Sequence, residues 1–209
     1  MCINETLNWK AHMLEIHSKI NRNLGVVRKI ARFLDRNSLL QLYHSLIMSH
    51  IRNGIIVWHN SHIGLRKKIQ ACANKFLRMI FYLKPRDSVR NLMKENKLLS
   101  VNQIYHFETA KLMHRFTISS IPKPLHDIFV SQTRPSNTGT RGASSILPPP
   151  SRTVKCTQTI RSSAPKIWND LPKEVKFVET VSFSNIITYS IKCFITKMKA
   201  HALNNIDFI

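Results

Sequence analysis

The side chains able to do chemistry are scattered along this chain. Two-metal phosphoryl transfer needs carboxylates that converge on shared ions, yet the 11 Asp and Glu residues include no Asp-Asp and no Asp-x-Asp pair. The nearest spacing, Asp170 with Glu174, is that of neighbours on a solvated helical turn. His59-Asn-Ser-His62 has a separation that could hold a metal ion, but no third ligand accompanies it. The cysteines, Cys2, Cys72, Cys156 and Cys193, form no C-x-x-C and have no pairing rhythm, so neither zinc nor a disulfide framework is indicated. Nothing marks Cys72 or Cys156 as an activated nucleophile. The five glycines never cluster into a phosphate-cradling loop. The expectation is therefore no catalytic residue, no metal and no cofactor.

Charge is the unusual quantity. Lys and Arg number 32 against 11 acids, a net charge of +21. Like charges repel in a compact state, and a polyanion, most often nucleic acid, offsets that repulsion. Between Asp35 and Asp87 there is no acid, while Arg36, Arg52, Arg66, Lys67, Lys68, Lys75, Arg78, Lys84 and Arg86 all fall in that stretch. A helical protein that needs only solubility mixes signs, because opposite charges at i,i+4 support its helices. No signal peptide is expected, since Glu5 and Asn8 interrupt the first residues. The apolar run from Gly54 to Trp58 is too short to cross a bilayer. Reduced thiols point to an intracellular compartment, nucleus and cytoplasm both open.

The elements that must position these charges read as mainly α. Met13, Ile16, Ile20, Leu24, Val27, Ala31 and Leu34 make one helical stripe, leaving Arg22, Arg28, Lys29, Arg32 and Arg36 on the remaining arc. A second helix, capped by Asn37 or Ser38, buries Leu39, Leu42, Tyr43, Leu46, Ile47 and Ile51. It leads into the all-apolar run Gly54 to Trp58, expected to lie inside. A third spans roughly 65–82 with Ile69, Ala73, Phe76, Leu77 and Ile80 inward. Asp87-Ser88 opens a short helix, and Ser100-Val-Asn-Gln103 reads as a capping box for a helix that Pro122 and Pro124 close. Residues 131–163, rich in Ser, Thr, Pro and Arg, read as an extended basic connector carrying Arg134, Arg141, Arg152, Lys155 and Arg161. Order resumes at Ala164-Pro-Lys-Ile-Trp168, and Phe183 to Met198 reads as a last amphipathic helix. The organisation expected is a helical region over 1–130, the connector over 131–163 and a short ordered piece over 164–209.

Several of these segments carry a family likeness. Leu7-Asn-Trp-Lys-Ala-His12, with Ile16, Lys19-Ile20 and Leu24-Gly25, resembles the segment just beyond the palm in reverse transcriptases of non-LTR retrotransposons (LINE-like, jockey-related elements). Leu42-Tyr43-x-Ser45-Leu46-Ile47, His50-Ile51 and Gly54-Ile55-x-Val57-Trp58 resemble the thumb that follows, and Ile69-Gln70 with Arg78-Met79-Ile80 its next helix. Thr140-Arg141, Ala164-Pro-Lys-Ile-Trp-Asn-Asp-Leu-Pro172 and Ser182-Phe183 resemble an ordered piece near the end of such polyproteins. Ser49 stands where the family commonly has proline, Asn53 where an aromatic is usual, and His59 where glycine is common.

The resemblance implies a thumb-like helical bundle, with fingers, palm and catalytic carboxylates expected upstream of Met1. It implies a non-catalytic part of an RNA-directed DNA polymerase that grips RNA or DNA through backbone phosphates, largely without regard to sequence. Lys19, Arg22, Lys29, Arg32, Lys67, Lys68, Lys75 and Arg78 are the expected phosphate contacts. A palm supplied in trans is a further expected partner; a membrane or a small-molecule substrate is not. The competing expectation is a protein-docking chain, or an unstable product of a decayed element without biochemical activity.

Overall fold

The computed structural model describes residues 8–130, 146–176 and 186–204. The chain is mainly α, and among the described residues there is no strand, only an isolated bridge at Ile146. It divides into two compact units, Met1–Tyr105 and His106–Ile209.

In the first unit, α1 (Lys10–Ile30) runs into a 3-10 turn, Ala31–Phe33. Its buried stripe is Met13, Ile16, Ile20, Leu24 and Val27, at the 3–4-residue spacing read from the sequence. The next rod starts at Arg36, one or two residues before its expected caps. Asp35 is extended, and its carboxylate accepts from the amides of Asn37 at 3.1 Å and Ser38 at 3.4 Å. Asp35 therefore takes the capping role assigned to Asn37 or Ser38, because a carboxylate just outside the first turn reaches two orphan amides.

That rod comprises α2 (Arg36–Leu42), a π-helical segment (Tyr43–Met48) and α3 (Ser49–Arg52). In the wider segment the Ser49 amide donates to the His44 carbonyl, and its hydroxyl bonds the Ser45 carbonyl. Proline at position 49 could supply neither bond. Gly54 then turns the chain with φ 67°, into the short α4 (Ile55–Trp58). The run expected to be inside is only half so: Ile55 and Trp58 are buried while Val57 is exposed, because one helical turn cannot hide all its faces. The Trp58 indole donates to the Asn53 carbonyl at 3.0 Å, so the apolar ring is buried with its polar atom satisfied.

α5 (Ile63–Ile80) buries Ile69, Cys72, Ala73, Phe76, Leu77 and Ile80. Its direction follows from three contacts. His62 meets Asn8 at 2.6 Å, Ser61 donates to the Met13 sulfur at 3.3 Å, and Cys72 donates to Asn21 at 3.2 Å, so α5 runs parallel to α1. The α2–α3 rod runs the other way, with Arg36 over Phe81, Tyr43 against Phe76, and the Leu46 carbonyl accepting from Asn23.

Beyond α5, Lys84 to Asp87 form a turn closed by the Asp87 carboxylate on the Lys84 amide at 2.9 Å. The short helix α6 (Arg90–Glu95) thus starts later than Asp87-Ser88, because Asp87 is spent on the turn. The capping box that opens α7 (Val101–Thr117) is formed reciprocally: the Ser100 amide donates to Gln103 Oε1 at 2.8 Å, and the Gln103 amide to Ser100 Oγ at 3.3 Å.

The division between the units falls within α7, after Tyr105. In the second unit α7 ends at Thr117, before either proline. The carbonyl of Pro122 instead accepts the first amides of α8 (Lys123–Val130), so the prolines open that helix rather than close α7. Phe116 packs against Phe129 and His126. Of the stretch read as a connector, residues 131–145, with Arg134, Thr140 and Arg141, lie outside the described residues. Residues 146–163 carry α9 (Val154–Thr157) and the first turn of α10 (Ile160–Asp170). The Asn169 amide donates to the Ile146 carbonyl at 2.8 Å and accepts from its N–H at 3.4 Å, which supplies that backbone with a partner. α11 (Lys173–Lys176) follows Pro172, and α12 (Ile186–Asn204) closes the chain. Phe194 stacks on His114 with centroids 4.2 Å apart and touches Trp168. Ser182-Phe183 lie outside the described residues.

Trp58 is fully buried where α4 returns the chain to α5. Trp58→Ala is expected to destabilise the first unit by about 3–5 kcal/mol, read as a lowered midpoint of urea unfolding followed by far-ultraviolet circular dichroism.

Candidate nucleic-acid interface

The eight expected phosphate contacts are all on α1, its 3-10 extension and α5, but their surroundings differ. Arg22, Lys29, Arg32, Lys67, Lys68 and Lys75 are exposed. Lys19 holds Glu15 at 2.6 Å, so its charge is already met by a neighbour one turn away. Arg78 is half-buried, and its Nε donates to the Asp87 carbonyl at 2.9 Å. It ties the turn after α5 back onto that helix, a structural use that spacing alone did not reveal.

The parallel pairing of α1 and α5 sorts the exposed charges. The Cys72–Asn21 contact marks where the two helices meet. On α5, Lys68, Cys72 and Lys75 follow one another at i+4 and i+3; on α1, Asn21, Gly25 and Arg28 do so at 4 and 3, with Arg32 in the 3-10 turn beyond. Residues at such spacing share a strip, so Lys68 and Lys75 border the same seam as Arg28, and Arg32 follows where α1 ends. Arg22 and Lys29 lie further round α1, and Lys67 lies with Arg78 on the other flank of α5. Gly25 leaves open space between the cations, with nothing within 4 Å of where a Cβ would stand. Arg28 was on the basic arc in the sequence but not among the selected contacts; only the seam distinguishes it.

Acids are few around this surface. Over residues 8–105 they are Glu15, Asp35, Asp87 and Glu95. Three of them are engaged locally: Glu15 with Lys19, Asp35 as a helix cap, and Asp87 in the turn. The Ser38 bond holds the Asp35 carboxyl below its ordinary range, so it keeps its charge and its cap. Burial raises the Cys72 thiol, which therefore stays protonated and acts as a packed donor.

The paired histidines His59 and His62 do not converge. His59 stacks on Tyr105 at 4.0 Å and meets the side-chain oxygens of Asn60 and Asn102, each at 3.0 Å. His62 meets Asn8. Asn60 donates to the Tyr105 hydroxyl at 2.7 Å, and Arg66 reaches the His59 carbonyl at 3.3 Å. This network joins the α4–α5 corner to the start of α7. Among the described residues no group of three His, Cys, Asp or Glu could hold a metal. Of the other thiols Cys156 is exposed, while Cys2 and the side chain of Cys193 lie outside the described residues. No helix among the described residues is long and apolar enough to cross a membrane. The chain matches no known protein-family model, no curated protein and no solved structure.

His12 sits at the start of the α1 stripe, buried, edge-on to Trp9, with neither ring nitrogen hydrogen-bonded among the described residues. Burial pushes its pKa below the ordinary 6.5, with Glu15 opposing and Lys19 assisting. The unfolded chain then binds a proton that the folded chain refuses. Stability is intact above the unfolded value of 6.5 and falls as pH drops through it. The melting temperature should decline on acidification below this point, and decline less in His12→Phe. His114, lowered in the same sense by burial, supplies a second such contribution.

Proposed function

We propose that this chain is a nucleic-acid grip without a catalytic centre, acting as the thumb and post-thumb part of a non-LTR retrotransposon reverse transcriptase. The observation that carries it is the α1–α5 seam, where Arg28 on α1, followed by Arg32 in the turn beyond, and Lys68 and Lys75 on α5 border one surface. Exposed guanidinium and ammonium groups in that arrangement suit backbone phosphates, which position a protein on a duplex without reading its sequence. The order of family-like segments along the chain supports the parentage. Polymerisation then belongs to a palm outside these residues, since they carry no Asp-Asp or Asp-x-Asp pair to hold two metal ions.

The test is anisotropy of a labelled RNA–DNA primer-template across a salt series. Affinity should fall linearly on a log–log plot, with a slope of about −0.9 per phosphate neutralised and roughly five or more phosphates engaged. Lys68→Ala with Lys75→Ala should flatten the slope by about two. Lys19→Ala, whose charge Glu15 already meets, should change it less. Binding that is absent at low salt, or flat with salt, would sink the reading. So would primer extension above background by the chain alone.

One observation favours protein docking instead. Val26, Ile30 and Phe33 follow at spacings of 4 and 3 and are 58%, 39% and 77% exposed, an apolar strip on the outer side of α1. Docking through it would be insensitive to salt.

A further inference from the structure

We infer that the end of the first unit where α1 and α5 both terminate is a stacking platform for the bases of single-stranded nucleic acid. The inference rests on the nucleic-acid reading and adds a base-contacting site to its phosphate contacts. Two aromatic rings there are almost wholly out of the core: Phe33 at 77% exposure and Tyr82 at 73%. Phe33 closes the 3-10 turn after α1, and Tyr82 follows α5. They stand at the same end of the helices: Arg36, three residues after Phe33, lies with its guanidinium 5.3 Å from the ring centroid of Phe81, the neighbour of Tyr82. Arg32 in turn lies 5.0 Å from the Phe33 ring centroid. Exposed aromatic faces interleaved with arginines are what unpaired bases use: the ring takes the base and the cation the phosphate.

The backbone makes the same point independently. α5 ends in a Schellman-type cap, with the Tyr82 amide donating to the Met79 carbonyl and the Leu83 amide to that of Arg78. The residue between must be left-handed, and Tyr82 has φ 52°. Glycine occupies that position without strain, whereas a bulky side chain is disfavoured there. Lys97 and Ser119 also have positive φ, but Tyr82 alone puts a large ring at such a position and leaves it in solvent. Neither core packing nor backbone preference accounts for the ring, so its use lies outside the fold.

Only the unpaired base can discriminate this site from the phosphate seam. The probes are a single-stranded RNA of about twelve nucleotides, within the range such sites cover, and an abasic sugar-phosphate chain of equal length. The full chain should bind the natural oligomer roughly tenfold or more tighter than the abasic one, given the usual strength of base–ring stacking. Phe33→Leu and Tyr82→Gly should each cut that preference severalfold while leaving the salt slope unchanged. Tyr82→Gly relaxes the backbone, so its loss cannot be laid to unfolding. Val26→Ser should leave the preference intact. Equal binding of the two probes by the unaltered chain would overturn the platform and leave the phosphate seam standing. Absence of binding to either probe would overturn both. Equal weakening toward both probes in Phe33→Leu and Tyr82→Gly would assign the rings to the fold and end the proposal.

Discussion

The pairing of α1 with α5 across the α2–α3 rod is the constraint on which the first unit depends. Each helix brings one apolar stripe, and the three can bury them only together. Burying a side chain such as Ile20, Ile69 or Phe76 contributes about 1.5–3 kcal/mol, which fits with all three being fully buried. Once the stripes face inward, helical geometry leaves the remaining arcs outside. The charges are outside because the apolar residues are inside, and their grouping follows from the direction in which the helices run. Had α5 been antiparallel to α1, Lys68 and Lys75 would meet a different stretch of α1.

The electrostatic character follows from how the few acids are used. Glu15, Asp35 and Asp87 serve a lysine, a helix cap and a turn. None is opposite the seam cations in an ion pair that the structure displays. Lys19 with Glu15 apart, the described part of this unit displays little of the opposite-charge pairing that ordinarily supports exposed helices. The compensations are backbone devices: the Asp35 cap, the capping box at Ser100 and Gln103, and the Schellman-type closure after α5. Arg78 shows that a cation can be structural even in such a surface, since its bond to the Asp87 carbonyl keeps the following turn in place.

Ser49, Asn53 and His59 illustrate how single side chains are fitted to their local surroundings. Ser49 supplies an amide and a hydroxyl to a π-helical segment that proline could not serve. Asn53 acts through its carbonyl, which receives the Trp58 indole. His59 stacks on Tyr105 and meets Asn102, 43 residues further along. Each is accommodated by groups present in this chain, and the last by groups remote in sequence.

Helices, their buried stripes and the capping box were legible in the sequence, because periodicity and caps depend on residues three or four apart. Even there the outcome turned on competition among near neighbours: Asp35 outreached Asn37 and Ser38 for the cap, and Asp87 went to a turn rather than a helix start. The excess of cations was equally plain, since composition needs no geometry. What only the tertiary structure decided is which charges share a flank, that Arg78 is tethered, that His59 and His62 part company, and that Phe33 and Tyr82 stand at the same end of the helices. Those outcomes rest on contacts between residues tens of positions apart, such as Asn21 with Cys72 and Arg36 with Phe81. A local pattern sets which face of a helix is buried, but not which neighbour it is buried against or in which direction that neighbour runs.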